Sequence, residues 1–468
     1  MKQIAENLRE MKIMTNNTEP KKKLFGTNGV RGIIGEDMNP ELVMKIGLSL
    51  GTMIRGRVAL GRDTRTSGEA LAAAMRSGLL ASGCDVIDLG ILPTPALQYL
   101  VREHYDGGAM ITASHNPPEY NGVKVIEGDG TEMDDTRTIA LESLIFSEDV
   151  RVLDWKSVGK LTDESHLIEE YIRAIVSHFP TDCCKEMVVV VDPGSGPAAA
   201  TTPEILRRMG CTVHTINGRF DGTFPGRLPE PSPEGLALLS ETVIATKAAF
   251  GVAHDGDADR AVFVDETGTF MNENLTFAML ARAACQNNPG IVVTPVSTSD
   301  VIREVAADCG CTTSYTKVGS IYVARTMLKL IEAGERVAFG GEGNGGQIFP
   351  NHQFCRDGGM TAAAMAELVA ASKRSISALA DEIPPYTMVK EKIHSDDPAA
   401  ILSRVRSACS ELGLNETDGI HIRWDDAWAL IRPSGTEPFI RLYAESRDPR
   451  RAEEVKDYLL SLLQLGCH

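Results

Sequence analysis

The chain has 468 residues, of which 43% are hydrophobic and 24% charged, with a formal net charge of −17. That length implies several domains at ~100–200 residues each, and the charge excludes nucleic acid and anionic membrane surfaces as general partners. No apolar run reaches the roughly 18 residues of a membrane span. The ten cysteines have no disulfide-framework spacing, and Cys183-Cys184 and Cys309-Gly310-Cys311 are too isolated for a zinc site. The expectation is a cytoplasmic protein with reduced thiols.

Residues 1–23 are polar and lack the apolar core of a secretory signal, which predicts a disordered N-terminal extension, with Met11 and Met14 as alternative starts. A first α/β block is expected over residues 24–160. It opens on Phe25-Gly26-Thr27-Asn28-Gly29-Val30-Arg31-Gly32, a turn-rich stretch from which Arg31 can reach a phosphate. Strand 58–60, helix 67–81 and strand 85–89 then read as a β-α-β unit. Small and apolar residues at 107–113 predict a buried strand that breaks into Ser114-His115-Asn116-Pro117-Pro118. Ser114 at that break, where a side chain leaves the core for solvent, reads as a nucleophile on a rigid elbow or as an ordinary strand-end turn. A helix over 134–146 follows.

The second block, 161–269, carries a helix at 164–179, a strand at 187–191, a helix at 203–209 and a strand at 212–216. Its turn Asp192-Pro193-Gly194-Ser195-Gly196 matches neither GxGxxG nor GxxxxGK[ST], which disfavours a nucleotide loop. Strands at 248–253 and 261–264 flank Asp255-Gly256-Asp257-Ala258-Asp259-Arg260. Alternate carboxylates on an extended loop point to one side and suit Mg²⁺. An EF-hand fails here, because Arg260 stands where that loop needs glycine and the flanks are strands.

The third block, 270–381, has helices near 275–285, 299–308, 320–333 and 361–372, with strands at 291–293 and 337–339. The glycine loop Gly340-Gly341-Glu342-Gly343-Asn344-Gly345-Gly346 lets Glu342 and Asn344 approach sugar hydroxyls, or serves as a hinge. Glu382-Ile383-Pro384-Pro385 reads as a linker. Residues 386–468 then change grain: a helix at 398–412, strands at 419–424, 428–431 and 439–444, and a helix at 450–463 predict a small α+β domain on an antiparallel sheet. Within it, Arg432-Pro433-Ser434-Gly435-Thr436-Glu437-Pro438, followed by Arg441, has the hydroxyls, glycine and guanidinium groups of a phosphate nest.

In order, ITASHNPPEYNGVK, DGDADR, GGEGNGG and RPSGTEP resemble the α-D-phosphohexomutase family, from about Leu24 to the C-terminus. The archaeal branch is closest, on Thr316-Lys317-Val318-Gly319-Ser320 and the glycine loop. The resemblance implies three similar α/β domains with mixed sheets plus a smaller C-terminal α+β domain around a central cleft. It implies that Ser114 is the phosphorylated serine and that one Mg²⁺ is bound by Asp255, Asp257, Asp259 and the phosphoserine oxygen. Arg31, His115 and Lys124 would attend the transferring phosphoryl group, with Arg260 and Lys317 lining the cleft. Glu342 and Asn344 would hold sugar hydroxyls, and Arg432, Ser434, Gly435, Thr436 and Arg441 the non-reacting phosphate.

Two positions depart from the bacterial pattern. Gly346 stands where those relatives often have a histidine, which makes Lys124 the leading proton-transfer candidate and His115 the second. Asn344 replaces a common serine. The expected reaction interconverts glucosamine 6-phosphate and glucosamine 1-phosphate through a sugar bisphosphate, which also serves as activator. Mannose and glucose phosphates are the alternative substrates. A Mg²⁺ phosphatase and a non-catalytic sugar-phosphate sensor are the rivals from other classes. Closure of the C-terminal domain over substrate is expected, because transferred phosphoryl must be kept from water. A homo-oligomer is compatible with the sequence.

Overall fold

The structure, a computed structural model, describes residues 22–395, 397–433 and 439–464. The expected N-terminal extension therefore lies outside the described residues except for its last two. Of these, Lys22 pairs with Asp135 at 2.8 Å and the Lys23 backbone N–H donates to Glu142 at 2.7 Å.

The first sheet contains β1 (Val30–Ile33), β2 (Arg57–Arg62), β3 (Asp85–Ile91), β4 (Gly107–Ile111), β5 (Tyr120–Glu127) and β6 (Leu161–Asp163), in the order β1-β5-β4-β2-β3-β6. Helices α1 (Pro40–Ile54), α2 (Gly68–Ala81), α3 (Thr94–His104) and α4 (Asp135–Ser147) cover it. Helix α1 starts where sequence chemistry allows: the Asn39 side chain accepts from Leu42 N–H, and Pro40, needing no donor, takes the first turn. Strand β6 pairs with β3, so this sheet runs past the boundary expected at residue 160.

The second segment has α5 (Ile168–Val176), β7 (Val188–Asp192), α6 (Thr202–Arg208), β8 (Thr212–Thr215), α7 (Ala237–Thr246), β9 (Phe250–His254), β10 (Ala261–Asp265) and β11 (Phe270–Met271). Its sheet order is β11-β10-β9-β7-β8. The helix expected over 164–179 is shorter and opens on a 3₁₀ turn at Ser165–Leu167. The third has α8 (Glu273–Asn287), β12 (Ile291–Pro295), α9 (Val301–Asp308), β13 (Thr312–Thr316), α10 (Ser320–Glu332), β14 (Val337–Glu342), β15 (Gly346–Ile348), α11 (Gly358–Ser372) and α12 (Ile376–Ala380), with sheet order β13-β12-β14-β15.

These three sheets repeat one plan. Strands β3-β2-β4-β5, β8-β7-β9-β10 and β13-β12-β14-β15 are each three parallel strands closed by one antiparallel neighbour. In every case the chain leaves the last parallel strand, turns, and returns as the antiparallel one. The Ser114 stretch, the aspartate loop and the glycine loop are those three turns, so the topology presents them at equivalent sheet ends.

The C-terminal domain comprises β16 (Thr387–His394), α13 (Pro398–Ala408), β17 (Leu414–Asn415), β18 (Ile420–Arg423), β19 (Ala427–Pro433), β20 (Phe439–Ser446) and α14 (Pro449–Gln464) on an antiparallel sheet, β16-β20-β19-β18-β17. Its core, around Val405, Ile431, Leu442 and Leu459, is separate. A single apolar core runs through the other three sheets, from Leu97 through Tyr171, Phe250 and Phe277 to Met360. The C-terminal domain meets that body at a small patch of Val296, Trp428 and Leu430, at an Arg423–Asp300 ion pair of 2.6 Å, and through Tyr386 and Arg447 on Glu304 and Glu445 on the Asp300 N–H. Among the described residues, no helix is long and apolar enough to cross a membrane.

Candidate active site

Strand β4 is entirely buried, and the chain leaves it at Thr112. The Thr112 hydroxyl donates to Asp63 Oδ2 (2.6 Å) and accepts the Ser114 N–H (2.9 Å). Asp63 in turn holds Arg65 at 3.1 Å, and both side chains are fully buried. The Arg65 guanidinium donates to the carbonyls of Ser114 (2.8 Å), Asn116 (2.6 Å), Pro117 (2.6 Å) and Tyr120 (2.9 Å). One planar cation thus satisfies the backbone of the whole turn. That support sustains Ser114 at φ +50°, a left-handed conformation uncommon in a non-glycine residue.

Ser114 is buried, contrary to the expectation that it meets solvent. The β9–β10 turn closes over it, and the Ser114 Oγ donates to Asp255 Oδ2 at 2.8 Å. Gly256 makes that approach feasible, since a Cβ there would lie 2.3 Å from the Ser114 carbonyl oxygen.

The aspartate loop also differs from the extended strip expected. It curls into a turn, with Ala258 N–H bonded to the Asp255 carbonyl (3.1 Å) and Ala258 at φ +60°. The three carboxylates still converge, each offering an oxygen within 4.8 Å of the others, all buried. Lys124, fully buried on β5, reaches Asp257 (2.7 Å) and Asp259 (3.0 Å), and the Thr94 hydroxyl donates to Asp257 (2.6 Å). Asp257 Oδ1 and Asp259 Oδ1 are buried acceptors without a hydrogen-bond partner.

Burial, and then the neighbouring Asp259 and Asp257 charges, push Asp255 well above the usual carboxylate range. Burial acts the same way on Asp257 and Asp259, but Lys124 outweighs it at Asp257, and Arg356 with Lys124 outweighs it at Asp259, holding both low. Lys124 is raised: burial disfavours its charge, and the Asp257 and Asp259 carboxylates more than compensate. Even with Lys124, Arg356 and Arg260 against the loop, two buried carboxylate oxygens keep no hydrogen-bond partner. A divalent oxygen-preferring ion fits that donor set.

His115 Nδ1 accepts from Arg260 at 2.7 Å, and Arg260 also pairs with Glu230 (3.1 Å). Burial, then Arg260 and Arg31, depress His115 to about 3, so its ring is neutral. Arg31 donates to Asn116 Oδ1 at 2.9 Å. Glu342, at the end of β14, is buried against Arg356 (2.8 Å), and Asn344 Oδ1 accepts the Gly346 N–H (3.2 Å).

Ser114, His115, Lys124, Arg260, the three aspartates and, through Arg356, Glu342 therefore form one connected group. Lys317 is exposed on the β13–α10 turn, where Val318 N–H donates to Asp418 (2.9 Å) and Asp418 pairs with Arg432 (3.2 Å). Arg432 faces Arg441 across β19 and β20, and Arg441 faces Lys392 across β20 and β16. A row of like charges is unfavourable unless an anion lies over it. Ser434, Gly435 and Thr436 lie outside the described residues.

Sequence reading missed Arg65, Thr94, Lys392 and Arg356. The first two look like ordinary strand-end and helix-start residues, and Lys392 reads as a solvated edge lysine. Arg356 lies outside every motif, and the space it takes beside Gly346 is visible only in the structure.

The sequence matches four family descriptions in succession: phosphoglucomutase/phosphomannomutase alpha/beta/alpha domain I over residues 22–151, domain II over 169–268, domain III over 272–386, and the C-terminal domain over 386–462. It is 44% identical over 455 residues to a phosphoglucomutase/phosphomannomutase of Thermococcus kodakarensis, covering 94% of this chain and 98% of the relative. It is 41% identical over 451 residues to a probable phosphoglucosamine mutase of Methanopyrus kandleri, covering 94% and 98%. The crystal structure of a phosphoglucomutase/phosphomannomutase family protein from Burkholderia thailandensis superposes with a TM-score of 0.85 at 25% identity, over 94% of this chain and 97% of that one.

Proposed function

The chain belongs to the phosphoglucomutase/phosphomannomutase family, isomerases that move a phosphoryl group within a hexose phosphate, and on that premise we propose that it is a cytoplasmic phosphoglucosamine mutase interconverting glucosamine 6-phosphate and glucosamine 1-phosphate. The observation that carries the reading is the Ser114 hydroxyl, buried and hydrogen-bonded into a cluster of three carboxylates with unpartnered oxygens.

In this reading Asp255, Asp257, Asp259 and an oxygen of phosphorylated Ser114 hold Mg²⁺. When bound, the ion supplies Lewis-acid stabilisation of charge on the transferring phosphoryl oxygens. A phosphoserine carries about −1.5 to −2 charge at pH 7, and Arg31, bonded to Asn116, and Arg260, bonded to His115, would offset it. The Ser114 Oγ–P bond breaks as the free hydroxyl of the hexosamine monophosphate bonds to phosphorus and gives up its proton, which ends on the Ser114 Oγ, giving a bisphosphate and a free serine hydroxyl. After the sugar turns end for end, its other phosphoryl returns to Ser114, whose hydroxyl proton leaves. Added sugar bisphosphate would phosphorylate resting enzyme by the same reversal.

Lys124 is the proton carrier we favour. It shares Asp257 and Asp259 with the ion's ligand set, and gains freedom to exchange a proton once those carboxylates are otherwise engaged. His115, neutral and with Nδ1 accepting from Arg260, holds its loop and presents Nε2–H as a donor only. Glu342 and Asn344 take ring hydroxyls, while Arg432, Arg441 and the residues Ser434, Gly435 and Thr436 take the distal phosphate, with Lys317 at its edge. With the first limit moved past β6, each of the four segments carries one of these tasks.

The test is a side-by-side assay of glucosamine, mannose and glucose phosphates primed with sugar bisphosphate. The account expects glucosamine phosphate to have the highest kcat/KM and no steady release of inorganic phosphate. Highest turnover of mannose or glucose phosphate would instead favour the phosphomannomutase/phosphoglucomutase alternative, which the Thermococcus relative's name supports. Steady phosphate release would favour the phosphatase.

A further inference from the structure

Arg356 stands between two carboxylates from different sheets. Its Nη1 donates to Glu342 Oε2 at 2.8 Å and its Nη2 to Asp259 Oδ2 at 2.5 Å, and the side chain is buried. The Asn28 amide is satisfied when its oxygen faces Arg356 Nη2 (3.3 Å) and Ser320 Oγ (3.1 Å) and its nitrogen faces the Thr27 carbonyl. One guanidinium therefore touches the N-terminal loop, the aspartate loop and the glycine loop.

The backbone that carries Arg356 is fixed from both sides. Asp357 accepts from Met360 N–H (2.9 Å) to cap α11, and its own N–H donates to the Gln347 carbonyl of β15 (3.0 Å). Tyr171 (2.7 Å) and Gln353 (2.7 Å) also donate to the Asp357 carboxylate. Across the β14–β15 hairpin Gly346 lies opposite Glu342, and a Cβ at 346 would fall 2.2 Å from Arg356 Cδ. A side chain at 346 and the guanidinium as placed exclude one another. This supplies a physical reason for Gly346, where bacterial relatives often carry a histidine.

We propose that Arg356 is a positioning residue that couples the sugar-holding carboxylate Glu342 to the cation-holding Asp259, so that sugar phosphate and divalent ion each strengthen the other's binding. The inference rests on the mutase reading of Glu342 and of the aspartate loop. Glu342 and Asp259 are spanned by the two separate Nη atoms of one rigid plane, so a lysine at 356 keeps the charge but loses this bridge. Coupling of this kind is reciprocal.

The test measures Mn²⁺ affinity by electron paramagnetic resonance, with and without glucosamine 6-phosphate, alongside kcat and KM, on wild type, Arg356→Lys, Arg356→Met and Gly346→Ala. The expected wild-type result is Mn²⁺ binding at least ~5-fold tighter with the sugar phosphate present. In both Arg356 variants that ratio falls to about one, and KM rises together with the Mn²⁺ dissociation constant. Gly346→Ala, which disturbs the same guanidinium without altering its charge, shifts the ratio the same way. Arg356→Lys retains more of the Mn²⁺ affinity than Arg356→Met but none of the coupling.

A purely structural arginine would lower thermal stability and leave the ratio and KM at wild-type values in folded variants, which overturns the proposal. Independent binding of Mn²⁺ and sugar phosphate to wild type overturns it too while leaving the mutase reading intact. A wild type that isomerises no hexose phosphate overturns the mutase reading, and this inference with it.

Discussion

The Ser114 hydroxyl donates to the Asp255 carboxylate over 2.8 Å although the two residues lie 141 positions apart and end strands of different sheets. Joining them costs local stability: Ser114 sits at positive φ, and Asp255 is crowded by Asp257 and Asp259. Such strain is typical of sites kept for chemistry.

That crowding predicts opposite effects on stability and activity for Asp255→Asn. Removing one of three buried like charges should leave the urea midpoint in EDTA unchanged or higher, while kcat at saturating Mg²⁺ falls by at least ~10². Equal loss of stability and activity would mean that the carboxylate is part of the scaffold instead.

Arg65 predicts the converse. Arg65→Met strips the Ser114 turn of its carbonyl partners and leaves Asp63 uncompensated, a loss of about 3–5 kcal/mol by analogy with broken buried pairs. Arg65→Lys should recover part of the stability but not kcat, since an ammonium cannot reach the same carbonyls. Urea titration and initial rates on both variants check this.

How far the sequence alone leads can be judged at these same residues. Ser114, the aspartates and Glu342 stand in stretches whose composition breaks the surrounding strand pattern, and there the chemistry shows through. The repeated sheet plan was only partly legible. Strand β5 carries Asn121 and Lys124 in its interior, β16 carries Lys390, Glu391 and Lys392, and α3 begins on Thr94-Pro95, so local patterning did not mark them. Arg65 and Arg356 act through contacts with residues distant in sequence, Arg356 with Asp259 97 positions away. No local spacing encodes that.

The separate core of the C-terminal domain, joined to the body by a small apolar patch and by polar contacts at Asp300, Glu304 and Val318, predicts that this domain moves as a body. Small-angle scattering with saturating glucosamine 1-phosphate should give a smaller radius of gyration than enzyme alone. Superimposable curves would argue against closure.

His421 reports on that junction. It stacks on Trp428 at 5.0 Å, and burial followed by Arg423 depresses it to about 4. Below its unfolded value near 6.5 the unfolded chain binds the extra proton first, so the ring's contribution is fully present above pH ~6.5 and is lost as pH falls toward 4. Urea titrations followed by tryptophan fluorescence should show the midpoint dropping over that window, and less steeply in His421→Gln. Identical slopes would assign the acid sensitivity elsewhere.

The most direct measurement follows labelled phosphoryl from sugar bisphosphate onto the protein, with peptide mapping and a chase by unlabelled glucosamine 6-phosphate. The account predicts one phosphoryl per chain on Ser114, discharged to sugar in the chase, and in Ser114→Ala neither label nor isomerisation above about 10⁻³ of wild type. Label on another residue, or Ser114→Ala enzyme that isomerises at the wild-type rate, would contradict it.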